Sequence, residues 1–309
     1  KYDFTFLDEI IDKIYQKGGR VVLATPSGSR PRWMVDKYPE VMRVNKSGER
    51  LSFRHRHNHC YTSPVYRQKV RDINLRLAKR YANHPAVFAW HISNEYGGEC
   101  YCSRCQDEFR DYLKKRYHGD IKELNRAYWS TFWSHNFDNF DQIQAPTPLT
   151  DESIQGLILD WRRFVSSQTL DFMKAEVDAI REYSHDLPIT TNMMPAFYEL
   201  NYNEFENVID VASWDSYPDW NSPTGLYEAY RTAFWHDYFR TLKNRPYMLM
   251  ESAPGLTNWK PYNKLKRPDM DVLSALQAIA HGSDTVQYFQ WRKCRGNVEK
   301  FHGAVVDHV

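Results

Sequence analysis

The chain has 309 residues, of which 42% are hydrophobic and 15% aromatic, enough to bury a large core as one α/β barrel or two smaller domains. Its 41 Lys and Arg nearly balance 39 Asp and Glu, and no long basic block occurs, so a nucleic-acid or membrane-surface role has no electrostatic support. No apolar run approaches the ~20 residues of a membrane span, and no basic start leads into an apolar signal segment; a cytoplasmic location is expected.

Helical spacing of Phe6, Ile10 and Ile14 predicts a helix over Phe4 to Lys17, stopped by Gly18-Gly19. Arg20 to Thr25 reads as a short buried strand. Pro26 to Cys60 is loop-like, punctuated by prolines and glycines and closed by the cationic run Phe53 to His59. A loop of that length is uncommon unless it has a job. Ser63-Pro64 supplies a cap and a first-turn proline for a helix carrying Tyr66, Val70, Ile73, Leu77 and Tyr81. The apolar strand from Ala86 ends abruptly in Asn94-Glu95. Helices follow around Gln106–Tyr117, Ile121–Tyr128 and Asp151–Ser184. Strands at Pro188–Met193, Val208–Tyr217, Pro246–Glu251 and Thr285–Trp291 then alternate with helices over Leu226–Lys243 and Met270–His281.

Apolar strands alternating with helices indicate a parallel sheet faced by helices. Charged, aromatic and amide residues gather at strand C-terminal ends: Glu95, Asn192, Asp215, Tyr217, Glu251. A (β/α)8 TIM barrel puts its chemistry on that face. A doubly wound sheet competes, but no Gly-rich phosphate turn follows the first strand. The predicted class is therefore α/β, a (β/α)8 barrel with six strands visible over residues 1–309 and the other two expected before Lys1.

An acid directly after a buried strand is costly, because desolvation penalises a carboxylate. Two such acids, Glu95 and Glu251, suggest strand ends opening onto one site, facing each other across a sugar. Retaining glycoside hydrolysis needs one carboxylic acid to protonate the leaving oxygen and a second, about 5–5.5 Å away, to attack the anomeric carbon. The proton donor should carry a raised pKa from burial and its charged neighbour. Pairing of either acid with a barrel arginine is the plainer alternative.

Cys100, Cys102 and Cys105 form C-x-C-x-x-C just after Glu95, and Cys60 lies upstream beyond a helix that returns the chain to the same mouth. Four thiolates make a closed tetrahedral zinc site, which would clip two loops and serve structure. A disulfide, a redox pair or simple reduced thiols are the alternatives. His55, His57 and His59 are substitute ligands, though their spacing suits a solvated polar stretch. Cys294 stands alone and reads as a small buried filler.

The segments His91-Ile92-Ser93-Asn94-Glu95-Tyr96-Gly97 and Leu249-Met250-Glu251-Ser252-Ala253-Pro254-Gly255 resemble the two active-site segments of glycoside hydrolase family 42, the bacterial β-galactosidases. The similarity extends to Phe132-Trp133-Ser134, Trp214-Asp215-Ser216-Tyr217-Pro218, Asn258-Trp259 and Glu299-Lys300-Phe301-His302-Gly303. The resemblance implies a retaining, exo-acting enzyme on terminal β-D-galactosides, with Glu95 as acid/base and Glu251 as nucleophile. It further implies a sugar pocket of Arg56, Asn94, Trp133, Tyr217, Trp259, Phe289, Glu299 and His302, and structural zinc on the four cysteines. Trp133 and Phe289 could equally be core, and Arg56 a solvated cation. Family members open with two further strands and continue into trimerisation and small β domains, so a fragment is expected, with a homotrimer possible only for the longer protein. β-D-Fucosides, α-L-arabinopyranosides and β-glucosides are close alternative substrates. An inactive carbohydrate-binding barrel is the alternative from another class.

Overall fold

Local chemistry sets the element boundaries. In the computed structural model, which describes residues 2–221, 223–260 and 264–308, α1 spans Thr5–Gln16 and stops where Gly18 takes a left-handed backbone at φ 77°. After β1 (Val21–Ala24) the segment 26–60 is more than a loop. It holds α2 (Arg32–Lys37), then folds back on itself through antiparallel bridges that pair Met42 with His59 and Val44 with Arg50. That return carries Arg56 and Cys60 to the mouth of the sheet. α3 (Pro64–Tyr81) begins as its sequence dictates, with the Ser63 hydroxyl accepting from the Tyr66 N–H at 3.3 Å and Pro64 in the first turn.

Next come β2 (Val87–His91), α4 (Ser103–Arg116), α5 (Ile121–Tyr128) and the long α6 (Gln155–Arg181). The strand expected at Pro188–Met193 is split into β3 (Ile189–Thr190) and β4 (Asn192–Met193), parted at Thr191. Side chains replace the ladder there: the Thr191 hydroxyl donates to the Ile92 carbonyl at 2.8 Å, and the Ser213 hydroxyl to the Thr191 carbonyl at 2.9 Å. The chain continues through a short α7 (Tyr202–Phe205), β5 (Ser213–Ser216), α8 (Gly225–Lys243), β6 (Tyr247–Ser252), α9 (Met270–Ala280) and β7 (Ser283–Val286).

The named strands pair in parallel, in the orders β1-β2-β3 and β4-β5-β6-β7, so within each sheet a strand lies beside its predecessor. A doubly wound sheet reverses its strand order part-way, and this one does not. The architecture is an arc of a (β/α) barrel with six strand positions, one of them interrupted.

Burial explains the arc's cohesion. Trp90, Ile189, Trp214 and Leu249 of the strands pack with Ile11, Leu77, Phe172 and Phe239 of the surrounding helices in one core. A second, smaller core lies between α4, α5 and the first half of α6, built on Phe109, Leu113, Leu124, Trp161 and Phe164. Cys60, Cys100 and Cys105 belong to this second cluster, which sequence patterning did not separate from the first. No helix among the described residues is long and apolar enough to cross a membrane.

Candidate active site

The strand C-terminal ends converge as barrel geometry requires. Beyond β2 the backbone turns sharply: Ser93 and Glu95 both take positive φ, 57° and 40°. Non-glycine residues hold that conformation only when their surroundings enforce it. Here the Ser93 N–H is fixed by the Thr25 hydroxyl at 2.7 Å, and the Glu95 N–H by Asn192 Oδ1 at 2.8 Å. The turn aims the Glu95 carboxylate into the mouth, where it pairs with Arg56 and accepts from the Asn94 amide at 3.3 Å.

Glu251 reaches the same point by another route. The β5–β6 register slips between Trp214 and Asp215, so that Trp214 pairs with Leu249 but Asp215 pairs with Glu251. Residues in register on adjacent parallel strands share a face, and the slip therefore puts both acids on the face where Glu95 arrives. Carboxylate oxygens of Glu95, Asp215 and Glu251 lie within 4.8 Å of one another. Both Glu251 oxygens have donors, Tyr217 OH at 2.6 Å and Asn192 Nδ2 at 3.1 Å. Burial and the Glu95 charge nevertheless push the Glu251 carboxyl up to about 7, while burial and the adjoining Glu251 raise the Tyr217 phenol.

A raised carboxyl has a stability cost with a definite pH window. Between the ordinary value of 4.5 and about 7 the unfolded chain releases the Glu251 proton while the folded chain keeps it. Stability therefore falls as pH rises through that window and stays low above it. Glu251→Gln is expected to raise Tm by on the order of 5 °C near pH 8 and by nothing measurable near pH 4, read by calorimetry. Equal melting points for both proteins at the higher pH would refute this.

The acids sit in a cavity of about 360 Å³ whose lining includes Arg56, Asn94, Tyr217, Trp259, Phe289 and Glu299. Tyr217 and Trp259 meet edge-to-face at 4.6 Å and form one wall. Glu299 lies on the lining with its enclosed Oε2 turned toward His302, 3.7 Å from Nδ1. A pocket with convergent acids, two guanidiniums (Arg56 and Arg231, each held by a carboxylate) and an aromatic wall suits a polyhydroxylated ring better than an anion or a flat apolar ligand.

The sequence profile of glycoside hydrolase family 42, described as beta-galactosidase, matches residues 1–309. The chain belongs to this family. It is 53% identical over 309 residues to the beta-galactosidase BglY of Alicyclobacillus acidocaldarius, covering 100% of this chain and 45% of that protein. The crystal structure of a beta-galactosidase from Rahnella sp. R3 superimposes with a TM-score of 0.98 at 51% identity, covering 100% of this chain and 46% of that one. Gan42B, a family 42 beta-galactosidase from G. stearothermophilus, gives the same TM-score, 0.98, the same identity, 51%, and the same coverage, 100% and 46%. This family 42 chain thus spans under half the length of these relatives.

The family 42 barrel also gathers the four cysteines. Sγ atoms of Cys60, Cys100, Cys102 and Cys105 lie within 4.8 Å of one another, with Cys60 at 3.5 Å from Cys105 and 3.8 Å from Cys102. No disulfide forms. Hydrogen bonds within the group split the thiols: Cys102 is driven down and Cys60 to about 7, while Cys100 and Cys105 are driven up. Thiols this crowded cannot all ionise without a cation among them.

Two of the expected sugar contacts are placed elsewhere. Trp133 is 72% exposed, twisted out by a left-handed backbone (φ 56°) and packed on Phe132 at 5.2 Å; it is neither core nor pocket. His302 is fully buried behind the wall, its ring nitrogens 3.1 Å from Asn258 Oδ1 and 3.0 Å from the Phe289 carbonyl, so it braces the pocket rather than lining it. The histidine run is not solvated as a whole: His55 is exposed, but His59 is buried and stacks on Tyr66 at 4.0 Å.

Three residues went unassigned in the sequence. Asn192 bonds Glu95, Asp215 and Glu251 at once, and Asp215 completes the acid cluster. Their position at strand ends was the available signal; their contacts depend on register. Arg43 gave no signal. It is buried between the loops that carry Arg56 and Glu95, donating to the His59 and Gly97 carbonyls at 2.8 and 2.6 Å. A Cβ on Gly98 would sit 1.7 Å from its guanidinium, which is why glycine stands there.

Proposed function

We propose that the chain is the catalytic barrel of a retaining, exo-acting β-galactosidase. The convergence of Glu95 and Glu251, an oxygen of each within 4.8 Å of the other, carries the reading, because it suits the roughly 5–5.5 Å between carboxyl groups of retaining glycosidases. In the first step Glu251 attacks the anomeric carbon while Glu95 gives its proton to the departing oxygen, leaving a galactosyl ester on Glu251. In the second, Glu95 takes a proton from water, which attacks the same carbon and frees Glu251. Tyr217 and Asn192 orient the nucleophile, Arg56 and Asn94 orient the acid/base, and Glu299 on the pocket lining accepts a sugar hydroxyl. Trp259 offers a face to the ring.

The four cysteines would hold zinc. A tetrahedral Zn–S4 centre with bonds of about 2.3 Å requires sulfurs about 3.8 Å apart, and the Sγ separations of 3.5 and 3.8 Å support that fit. The ion would supply a cross-link between the loops bearing Arg56 and Glu95, with no open position for chemistry.

The test is hydrolysis of a nitrophenyl β-D-galactoside across pH. One acid must be ionised and the other protonated, and the value of about 7 on Glu251 beside a charged Glu95 marks loss of the pair's last proton, so kcat/KM is expected to fall about tenfold per pH unit above about 7. A product of inverted anomeric configuration, read by NMR during turnover, would defeat the retaining assignment.

A further inference from the structure

Three acids meet at the floor of the pocket, and the reaction just proposed uses two. Asp215 is 2% exposed. Its Oδ2 accepts from the Asn192 amide at 2.6 Å, while its Oδ1 is enclosed with no donor facing it. The guanidinium in contact with the cluster, Arg56, is engaged by Glu95. A buried carboxylate oxygen without a donor is penalised by desolvation, and two neighbouring carboxylates add repulsion. A proton on that oxygen removes both penalties and turns it into a donor.

Building on the glycosidase reading above, we propose that Asp215 stands protonated in the active enzyme and donates a hydrogen bond to Glu95, so that it is a positioning residue for the acid/base. The groups that face Asp215 agree with this. Glu95 beyond β2 and Glu251 on β6 are acids, Tyr202 on α7 and Tyr217 beyond β5 are neutral phenols with raised pKa, and Asn192 on β4 is a neutral donor. Burial comes first and the Glu251 and Glu95 charges next in holding the Asp215 carboxyl well above its ordinary range; the shared hydrogen bond with Glu95 acts in the same direction. A hydroxyl donor has a functional advantage here. It serves Glu95 in both of its protonation states and adds no negative charge beside the nucleophile.

The experiment compares Asp215→Asn and Asp215→Ala with the wild type on a nitrophenyl β-galactoside over a range of pH. Asparagine keeps a neutral donor, so kcat/KM should stay within about threefold, with its acid limb unmoved, whereas alanine should lower kcat by about 10²-fold at little change in KM. Were Asp215 ionised, Asp215→Asn would delete a charge next to Glu251 and move the acid limb down by about 1–2 pH units. That movement, or an asparagine variant as poor as the alanine one, overturns the proposal. Neutron diffraction from wild-type crystals near pH 7 needs no variant: a deuteron on Asp215 Oδ1 supports the assignment and a bare carboxylate overturns it. A wild type that carries the deuteron but hydrolyses no galactoside would fault the glycosidase reading alone.

Discussion

Glu251→Ala is expected to lose about 10⁵-fold in kcat on a nitrophenyl β-galactoside while its fold and substrate binding persist. The side chain lies at the end of β6 among donors, not within the main core, so its removal deletes a nucleophile and a buried charge rather than packing. Azide added to this variant can occupy the vacated space and attack the anomeric carbon directly. A single displacement inverts, so the product should be an α-galactosyl azide. Glu95→Ala should behave differently. With a nitrophenolate leaving group the first step needs little protonation, so the galactosyl ester accumulates and its hydrolysis becomes slow. Azide then attacks the ester and gives a β-galactosyl azide, the product of two inversions. The two variants thus assign the two roles independently of rate. An α-azide from Glu95→Ala, or a Glu251→Ala enzyme within tenfold of wild type, would exchange or abolish the assignments.

What could be read from the sequence, and what could not, follows from the range of the interactions. Glu95 and Glu251 were legible because a carboxylate at the end of an apolar run contradicts the local preference for apolar burial, and such a contradiction marks a site. The helices were legible where the signal is local, as with Ser63-Pro64 opening α3 at the expected residue. Asp215 and Asn192 were visible only as strand-end polar residues. Their convergence depends on a one-residue slip between β5 and β6 and on the break at Thr191, neither of which has a signature within a single strand. Trp133 stands exposed rather than on the pocket lining. Its motif says nothing about the left-handed turn that swings the indole outward. For His302, the partners that bury it, Asn258 and Phe289, arrive from other segments of the chain. The shape of segment 26–60 was likewise hidden, since its bridges join residues of opposite ends of the loop through backbone groups that every residue carries.

The second large effect is expected at the cysteines. Wild-type protein should carry one zinc ion per chain by atomic emission, and Cys102→Ser should carry almost none. The consequence reaches the active site through short lengths of chain. Cys60 lies four residues after Arg56, and Cys100 five after Glu95. The other ties between the two loops are single hydrogen bonds: Arg43 on the Gly97 carbonyl at 2.6 Å, the Tyr61 hydroxyl against the Gly97 carbonyl and N–H at 3.3 and 3.4 Å, the Tyr101 N–H on the Val44 carbonyl at 2.9 Å, the Val44 N–H on Cys100 Sγ at 3.5 Å and the Thr62 hydroxyl beside Cys105 Sγ at 3.3 Å. Without the ion, four thiols stay packed at sulfur–sulfur contact in a buried cluster where only some can ionise, and the second core opens at that edge. A loss of on the order of 10 °C in Tm is expected, in line with the size of structural metal contributions. Loosening of the Arg56–Glu95 pair should lower kcat by about 10–100-fold, since misplacement of the acid/base by an ångström costs that much. Cys294→Ser is the control: Cys294 lies outside the cluster, and its replacement should leave metal content, melting point and rate unchanged. Cys102→Ser with wild-type stability and rate, or a wild type free of metal after purification without chelators, would remove the cross-link from the account and leave the direct hydrogen bonds to hold the loops.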